Sequence, residues 1–203
     1  MEQQDILSMT LPELQAAVQE LSEPKFRAKQ IFNWLHQKRV TDFSEMTTLS
    51  LPFRERLASD FCINRLKIAK RLASSVDDTV KYLYELPDGN YVETVCMQYH
   101  HGTSLCISTQ VGCRMGCRFC ASAIAGFVRN LTPAEMLLQI YETERAQNCK
   151  ISSLVLMGIG EPLDNFDNVL RFLQRKVHRQ YHRICKKQRI HQLLHKGGSI
   201  RIM

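Results

Sequence analysis

Apolar residues near the start of the chain recur at the spacing of an amphipathic helix. Leu14, Val18 and Leu21 lie three or four positions apart, which places them on one helix face. Thr10 and Glu13 precede this series in the T-x-x-E arrangement of a capping box. The pattern therefore predicts a helix that begins just after Thr10.

Two further helices are predicted within the first sixty residues, one from Pro24 and one capped by Ser50. The first of them mixes cationic residues with Trp34, the only tryptophan, and these cations are Lys25, Arg27, Lys29, Lys38 and Arg39. Their number favours a solvated helix face. An RNA-docking appendage with interleaved cations and aromatics is the alternative.

Around residue 65 the hydrophobic period changes from that of a helix to that of a strand. Val80, Tyr82 and Tyr84 alternate with Lys81, Leu83 and Glu85, and Pro87–Asn90 is typical of a turn. A returning strand is expected over Tyr91–Met97 and a third over Ser104–Ser108. These patterns predict a short antiparallel β segment.

The chain then alternates between helix and strand. Gly126 and Asn130 indicate a loop, Thr132 begins a second capping box, and Ile151–Met157 is a short apolar strand followed by a helix near residue 165. Such βα repetition predicts an α/β fold with a parallel sheet or barrel. Because chemistry gathers at the carboxyl ends of such strands, the loops after both strands are expected at one edge.

The first of those loops contains three cysteines, Cys113, Cys117 and Cys120, in a C-x3-C-x2-C arrangement. Closely spaced thiolates of this kind hold iron–sulfur clusters, and three ligands leave one coordination position open. A zinc site is an alternative, although only the last two cysteines form a knuckle and Cys96 or Cys106 would have to complete it. Chance clustering is a third possibility.

Composition limits the class of protein. With 203 residues and 44% apolar content, the chain has room for one domain, or for one domain and a small appendage. No apolar run reaches the length of a membrane span, and no export signal precedes the eight cysteines. We therefore expect a reducing, cytoplasmic location without structural disulfides.

The net charge of +7 lies entirely in the last 29 residues, which contain nine Lys or Arg and no acid. The preceding 174 residues hold 18 basic and 20 acidic residues. One interpretation of residues 175–203 is a basic RNA-binding tail. The abrupt loss of acids within a βα series favours the other, an aberrant continuation after a frameshift or truncation.

Taken together, the motifs resemble one family. C-x3-C-x2-C with Phe119 before the last cysteine is the radical S-adenosylmethionine (SAM) signature, and further segments match as well: Pro24–Trp34, Tyr91–Val95, Ser104–Cys113, Gly126–Thr132 and Met157–Leu163. Over residues 10–174 the chain resembles the dual-specificity adenine-C2 methyltransferases of 23S rRNA and tRNA, the RlmN type. The C8-methylating Cfr relatives share the same frame.

The resemblance implies a partial radical-SAM (β/α) barrel. A helical N-terminal RNA-binding-type domain would occupy residues 1–62 and a β segment residues 63–110. The start of the barrel would occupy residues 111–174, followed by the basic tail. Only about two of six βα units would be present.

The resemblance also implies the cofactor site. Cys113, Cys117 and Cys120 would bind a [4Fe-4S] cluster, whose open iron would bind the amino and carboxylate groups of SAM. Three further residues would contact SAM, with the first near its adenine: Phe119, Gly160 and Glu161.

Two catalytic residues are implied in the same way. Glu93 would take a proton from the target adenine ring, and Cys106 would form the disulfide that releases the methylated base. One SAM would methylate a protein cysteine and a second would yield the radical that activates this methyl group. Substrates would be 23S rRNA and tRNA, the electron donor a flavodoxin or ferredoxin, and the enzyme a monomer.

The chain departs from the family after residue 174. It lacks a cysteine in the context of the methyl carrier, and Cys185 does not match that context. We therefore expect this polypeptide alone not to methylate RNA. Two other hypotheses remain: a zinc-stabilised RNA-binding module, and a chain without a stable fold because half a barrel leaves apolar surface exposed.

Overall fold

A computed structural model describes residues 3–100, 102–124 and 126–176. The predicted basic tail lies outside the described residues except for its first two positions, and Cys185 lies outside them. The helical N-terminal segment comprises α1 (Leu11–Glu20), α2 (Phe26–Asn33) and α3 (Leu51–Asp60).

In this segment the predicted helix starts are confirmed, but of the two caps expected there, at Thr10 and Ser50, only the one at Thr10 forms. The capping box is present at α1, where the backbone N–H of Thr10 donates to Glu13 Oε2 at 2.7 Å. Ser50 precedes α3 without a capping hydrogen bond from its side chain. The chain continues from α2 into a π turn, Trp34–Lys38, which ends at Arg39 with φ of 57°.

Two very short strands close the helical segment on itself. β1 (Gln4–Asp5) pairs in parallel with β2 (Phe61–Cys62), so the chain enters and leaves this segment at the same place. Strands of two residues carry no readable hydrophobic period, which is why the sequence did not predict them.

Asp5 in β1 makes stability depend on pH. Burial raises the pKa of its carboxyl group from 3.8 to about 6, although the backbone N–H of Leu7 donates to it at 2.9 Å. A pKa higher in the folded than in the unfolded chain means that the protonated form is favoured by folding. Stability from this group is therefore gained as the pH falls from about 6 towards 4.

We expect Asp5→Asn to raise the free energy of unfolding at pH 7.5 by about 2 kcal/mol and to change it little at pH 4. Urea unfolding at the two pH values measures this. Asp78→Asn on the exposed turn at residues 74–79 controls for loss of one negative charge. Equal effects of Asp5→Asn at both pH values would contradict the assignment.

The main sheet has five strands in the order β3-β4-β5-β6-β9, and it is mixed rather than parallel. Its strands are β3 (Lys67–Ala73), β4 (Val80–Glu85), β5 (Tyr91–Tyr99), β6 (Gly102–Cys106) and β9 (Ile151–Val155). The first four are antiparallel neighbours, and only β6 and β9 are parallel. The predicted βα repetition is therefore confirmed only from β6 onward.

A hairpin lies where the sequence predicted only a loop. β7 (Gln110–Gly112) pairs with β8 (Phe127–Asn130) in a separate two-stranded sheet, so the loop prediction is wrong for residues 127–130. The predicted strand Ser104–Ser108 is also shifted, because β6 ends at Cys106. The cysteine loop, residues 113–126, connects β7 to β8.

Helix α4 (Pro133–Gln147) occupies the centre of the described fold. Its predicted capping box at Thr132 is confirmed, and twelve consecutive residues, 133–144, are buried. The sheet covers one side, where Tyr84 Oη and Thr143 Oγ1 lie 2.8 Å apart. The helical segment covers the other, where His36 Nδ1 lies 3.0 Å from Tyr141 Oη.

Burial of three glutamates on α4 is balanced by arginines, three from elsewhere in the chain and one, Arg145, on α4 itself. Glu135 pairs with Arg129, Glu142 with Arg65 and Arg145, and Glu144 with Arg39. A buried carboxylate is tolerated when it is paired and hydrogen-bonded. These ion pairs allow the charged residues of α4 to be buried along with its apolar ones.

Helix α5 (Phe166–Lys176) continues two residues past the point at which the sequence pattern ended. Arg171 on this helix bonds both carboxylate oxygens of Glu13 at 2.8 and 2.9 Å, which ties α5 to the start of α1. No helix among the described residues combines the length and apolar character needed to cross a bilayer.

Candidate functional site

The loops that follow β6 and β9 meet at the carboxyl ends of these two parallel strands, as predicted. The backbone N–H of Gly158 donates to Ile107 O at 3.1 Å, and that of Thr109 donates to Ile159 O at 2.9 Å. A Cβ on Gly158 would lie 2.7 Å from the backbone of Ile107 and Ser108. Glycine at residue 158 therefore permits the close approach of the two segments.

Gln110, fully buried at the start of β7, joins three segments through its side chain. Its Nε2 donates to Asn130 Oδ1 at 2.9 Å and to Asp164 Oδ2 at 2.7 Å. Its Oε1 accepts from the backbone N–H of Glu161 at 2.9 Å. The cysteine hairpin and the loop that contains Gly160 and Glu161 are thus held in one network.

Residue 160 has to be a glycine because the Gln110 side chain packs directly against its backbone. Its φ is +105°, and a Cβ there would lie 2.6 Å from the Cβ of Gln110. Glu161 follows, with its Oε1 accepting from the backbone N–H of Leu163 at 3.1 Å. The two residues predicted to contact SAM are therefore adjacent on a loop fixed by backbone contacts.

The cysteine loop itself is open. Cys113 and Cys120 are half-buried, whereas Cys117 is exposed. Backbone hydrogen bonds within the loop include Cys113 N–H to Gly126 O at 3.0 Å and Cys120 N–H to Cys117 O at 3.1 Å. Phe119 is 94% exposed, so it does not fill space beneath the loop.

Glu93 and Cys106 lie on the same face of the sheet. Cys106 is the register partner of Val95, two residues along β5 from Glu93, and residues opposite or two apart share a face. Glu93 is 41% exposed and its Oε1 lies 2.7 Å from Lys81 Nζ. Burial raises the pKa of the Cys106 thiol, and a hydrogen bond from the backbone of Met157 opposes this.

Comparison with known proteins shows which methyltransferases this chain is similar to. Residues 4–63 match the family described as ribosomal RNA large subunit methyltransferase N-terminal domain. A probable dual-specificity RNA methyltransferase RlmN from Lachnoclostridium phytofermentans is 53% identical over 173 residues, 84% of this chain. One from Alkaliphilus oremlandii is 51% identical over 174 residues, 86% of this chain.

The similarity extends to a solved structure. A radical SAM methyltransferase from Sphaerobacter thermophilus superimposes with a TM-score of 0.79 at 32% sequence identity. The superposition covers 89% of this chain and 54% of the Sphaerobacter chain. This chain belongs to the RlmN family of radical SAM proteins. It spans about half the length of the curated relatives it matches, 48% and 50% for the two above. The partial radical-SAM α/β fold is thereby confirmed.

The three thiols suit an iron–sulfur cluster chemically, because closely spaced cysteine thiolates are the ligands of such clusters and three of them leave one position open. In the described parts of the chain, however, no three His, Cys, Asp or Glu side chains are gathered closely enough to hold a metal ion together. The thiols are thus placed on a common loop without converging. Cluster binding would require this exposed loop to close.

The sequence did not single out the buried polar residues that support this candidate site. Ser108 is fully buried, and its Oγ donates to Glu93 O at 2.6 Å and accepts from the backbone N–H of Ile159 at 2.9 Å. Asn165 donates to Thr109 O and to Leu131 O. A run of polar residues at the end of an apolar strand, Ser108–Gln110, was the available signal.

Proposed function

We propose that this chain provides the cluster-binding and SAM-binding portion of a radical SAM methyltransferase that acts on C2 of adenosine in 23S rRNA and tRNA. The observation that carries the proposal is the contact between the cysteine hairpin and the Gly158–Glu161 loop at the carboxyl ends of β6 and β9. In α/β folds this edge is where ligands bind.

Cys113, Cys117 and Cys120 would hold the [4Fe-4S] cluster, which supplies the electron for reductive cleavage of SAM when it is bound. Gly160 would line the SAM site on a loop that packs closely on Gln110, and the carboxylate of Glu161 suits the ammonium group of SAM.

The role proposed for Phe119 follows from its exposure. An aromatic ring that is 94% exposed beside the last cysteine is available to stack on the adenine of SAM. Burial of such a ring by a ligand would also remove apolar surface from water.

Glu93 and Cys106 would act on the RNA base from the open face of the sheet. Glu93 would accept a proton from the adenine ring, and its partial exposure leaves its carboxylate accessible. Cys106 would form the disulfide that releases the product. The target adenosine has to be unstacked to reach this face.

RNA binding is proposed for the helical segment, residues 1–62, ahead of the β segment at 63–110 and the barrel start at 111–174. Lys25, just before α2, and Lys29 on α2 are exposed. Phe26 is 54% exposed and has the Arg27 guanidinium 5.0 Å from its ring centre. Cations interleaved with an exposed aromatic ring suit an RNA backbone and its bases. A flavodoxin or ferredoxin would be the electron donor, and a cytoplasmic monomer is proposed.

Metal analysis after anaerobic reconstitution tests this function. The wild-type chain should take up about four irons and as many sulfides, whereas the triple variant Cys113→Ala/Cys117→Ala/Cys120→Ala should take up none. The double variant Cys62→Ala/Cys149→Ala is the control for loss of other thiols, and it should bind iron as wild type does. Stoichiometric zinc in place of iron would instead support a zinc-stabilised RNA-binding module.

A further inference from the structure

Arg114 follows the first candidate cluster ligand and reaches out of the cysteine loop to two other segments. Its Nε lies 2.8 Å from Asp164 Oδ2, in the loop that follows Glu161. Its guanidinium carbon lies 3.9 Å from the centre of the Phe127 ring on β8. The Arg114 side chain therefore connects the cysteine loop to β8 and to the loop that contains Gly160 and Glu161.

Asp164 is a prepared partner rather than a chance surface contact. Its Oδ2 also accepts from Nε2 of the buried Gln110 at 2.7 Å, and its backbone oxygen accepts from Asn130 Nδ2 at 3.5 Å. The Asp164 side chain is 23% exposed, and Gln110 holds its carboxylate in place from the protein interior. Arg114 binds this carboxylate from the solvent side.

The next arginine in the loop provides a contrast. Arg118 has the same charge and lies between Cys117 and Cys120, yet in the described parts of the chain it forms no ion pair and no ring contact. The bridge therefore depends on the position of Arg114 and not on the presence of a cation in the loop.

Resting on the function proposed above, we infer that Arg114 is a positioning residue that holds the cysteine loop against the loop of Gly160 and Glu161. A cluster and SAM on these two loops have to meet at a fixed separation. Because residues 114–119 of the cysteine loop are exposed, the Arg114–Asp164 ion pair and the stacking on Phe127 would set that separation.

The first test needs no metal. In hydrogen exchange of the metal-free chain, Arg114→Met should speed exchange about five- to tenfold at the amides of Cys113 and Asp164, as expected for loss of a partly exposed ion pair and a cation–π contact. Arg118→Met should leave both amides within about twofold of wild type.

A double-mutant cycle isolates the partner. Asp164→Asn should also speed exchange at Cys113, and Arg114→Met/Asp164→Asn should be no faster than the faster single variant, because one interaction has been removed twice. Unchanged exchange in Arg114→Met, or fully additive effects in the double variant, would overturn the bridge.

The second test separates positioning from general stability. After reconstitution, Arg114→Met should retain wild-type iron and sulfide, while the SAM concentration that gives half of the change in the paramagnetic resonance spectrum should rise about fivefold. Arg118→Met should match wild type, and an unchanged midpoint in Arg114→Met would overturn the positioning role. If wild type itself bound no iron, the proposed function would fail, whereas the exchange experiment would still decide whether Arg114 joins the loops.

Discussion

Gly112→Ala is expected to lower the free energy of unfolding by about 3–4 kcal/mol. Gly112 ends β7 with φ of +71°, a conformation that costs a residue with a Cβ about 1–2 kcal/mol. The added Cβ would also lie 1.7 Å from Gly126 O and 2.8 Å from Gly126 C. Both atoms are backbone, so no side chain can move to relieve the overlap.

Gly116 offers a matched control for this effect. It lies four residues further on, in the cysteine loop, with φ of +65°, and a Cβ there would meet nothing within 4 Å. Gly116→Ala should therefore cost only about 1 kcal/mol, the conformational part. Urea unfolding followed by circular dichroism measures both. Similar losses for the two variants would show that β7 and β8 do not approach as closely as described.

The second large effect is expected for Gln139→Leu, which should lower the free energy of unfolding by about 3 kcal/mol. Gln139 is fully buried on α4, and its Oε1 accepts from Thr94 Oγ1 and from Ser108 N–H, both at 2.9 Å. Its Nε2 donates to Ser108 O at 3.0 Å. Leucine of similar volume would leave these buried groups without partners.

The same substitution at another glutamine of α4 distinguishes the loss of the buried hydrogen bonds from a general effect of leucine on the stability of the helix. Gln147 is partly exposed and makes one side-chain bond, from its Nε2 to Tyr82 Oη at 2.8 Å. Gln147→Leu should cost about 1 kcal/mol or less. Thermal unfolding by calorimetry measures the pair, and a cost for Gln139→Leu no greater than that for Gln147→Leu would refute the role of the buried network.

The network around Gln139 also reaches the candidate site. Through Ser108, it supports the carbonyl group of Glu93 and the backbone N–H of Ile159. The strand that carries the proposed base and the loop proposed to bind SAM are therefore anchored to the same buried helix. Loss of Gln139 should loosen both together.

Elements defined by local contacts were predictable from the sequence. The capping boxes at Thr10 and Thr132 each use a side chain three residues away, so their sequence pattern already contains both partners. The alternation from Val80 to Glu85 likewise reflects a single buried face, and Val80, Tyr82 and Tyr84 are buried as expected.

Features that depend on distant partners were not predictable. The β7–β8 hairpin joins strands of three and four residues across the whole cysteine loop, too short for a period to be read. Buried Gln110 and Asn165 have partners more than fifty residues away, as Asp164 and Thr109 show. The sequence placed Glu93 and Cys106 on strands, but only the register places them on one face.

The three cysteines were evident from their spacing, whereas their present arrangement was not. The same cysteine spacing is compatible with thiols that already point at one another and with thiols that come together only when the cluster binds. The exposed loop of Cys117 and Phe119, without a metal-binding group among the described residues, is consistent with a site that closes when its cluster binds.

The central claim is that Cys113, Cys117 and Cys120 bind a four-iron cluster and leave one iron for SAM. Low-temperature paramagnetic resonance of the anaerobically reconstituted, reduced wild-type chain tests it most directly. The account predicts a cluster signal that changes shape when SAM is added and that is absent from the triple alanine variant. A wild-type sample without this signal, or with a signal that SAM leaves unchanged, would contradict it.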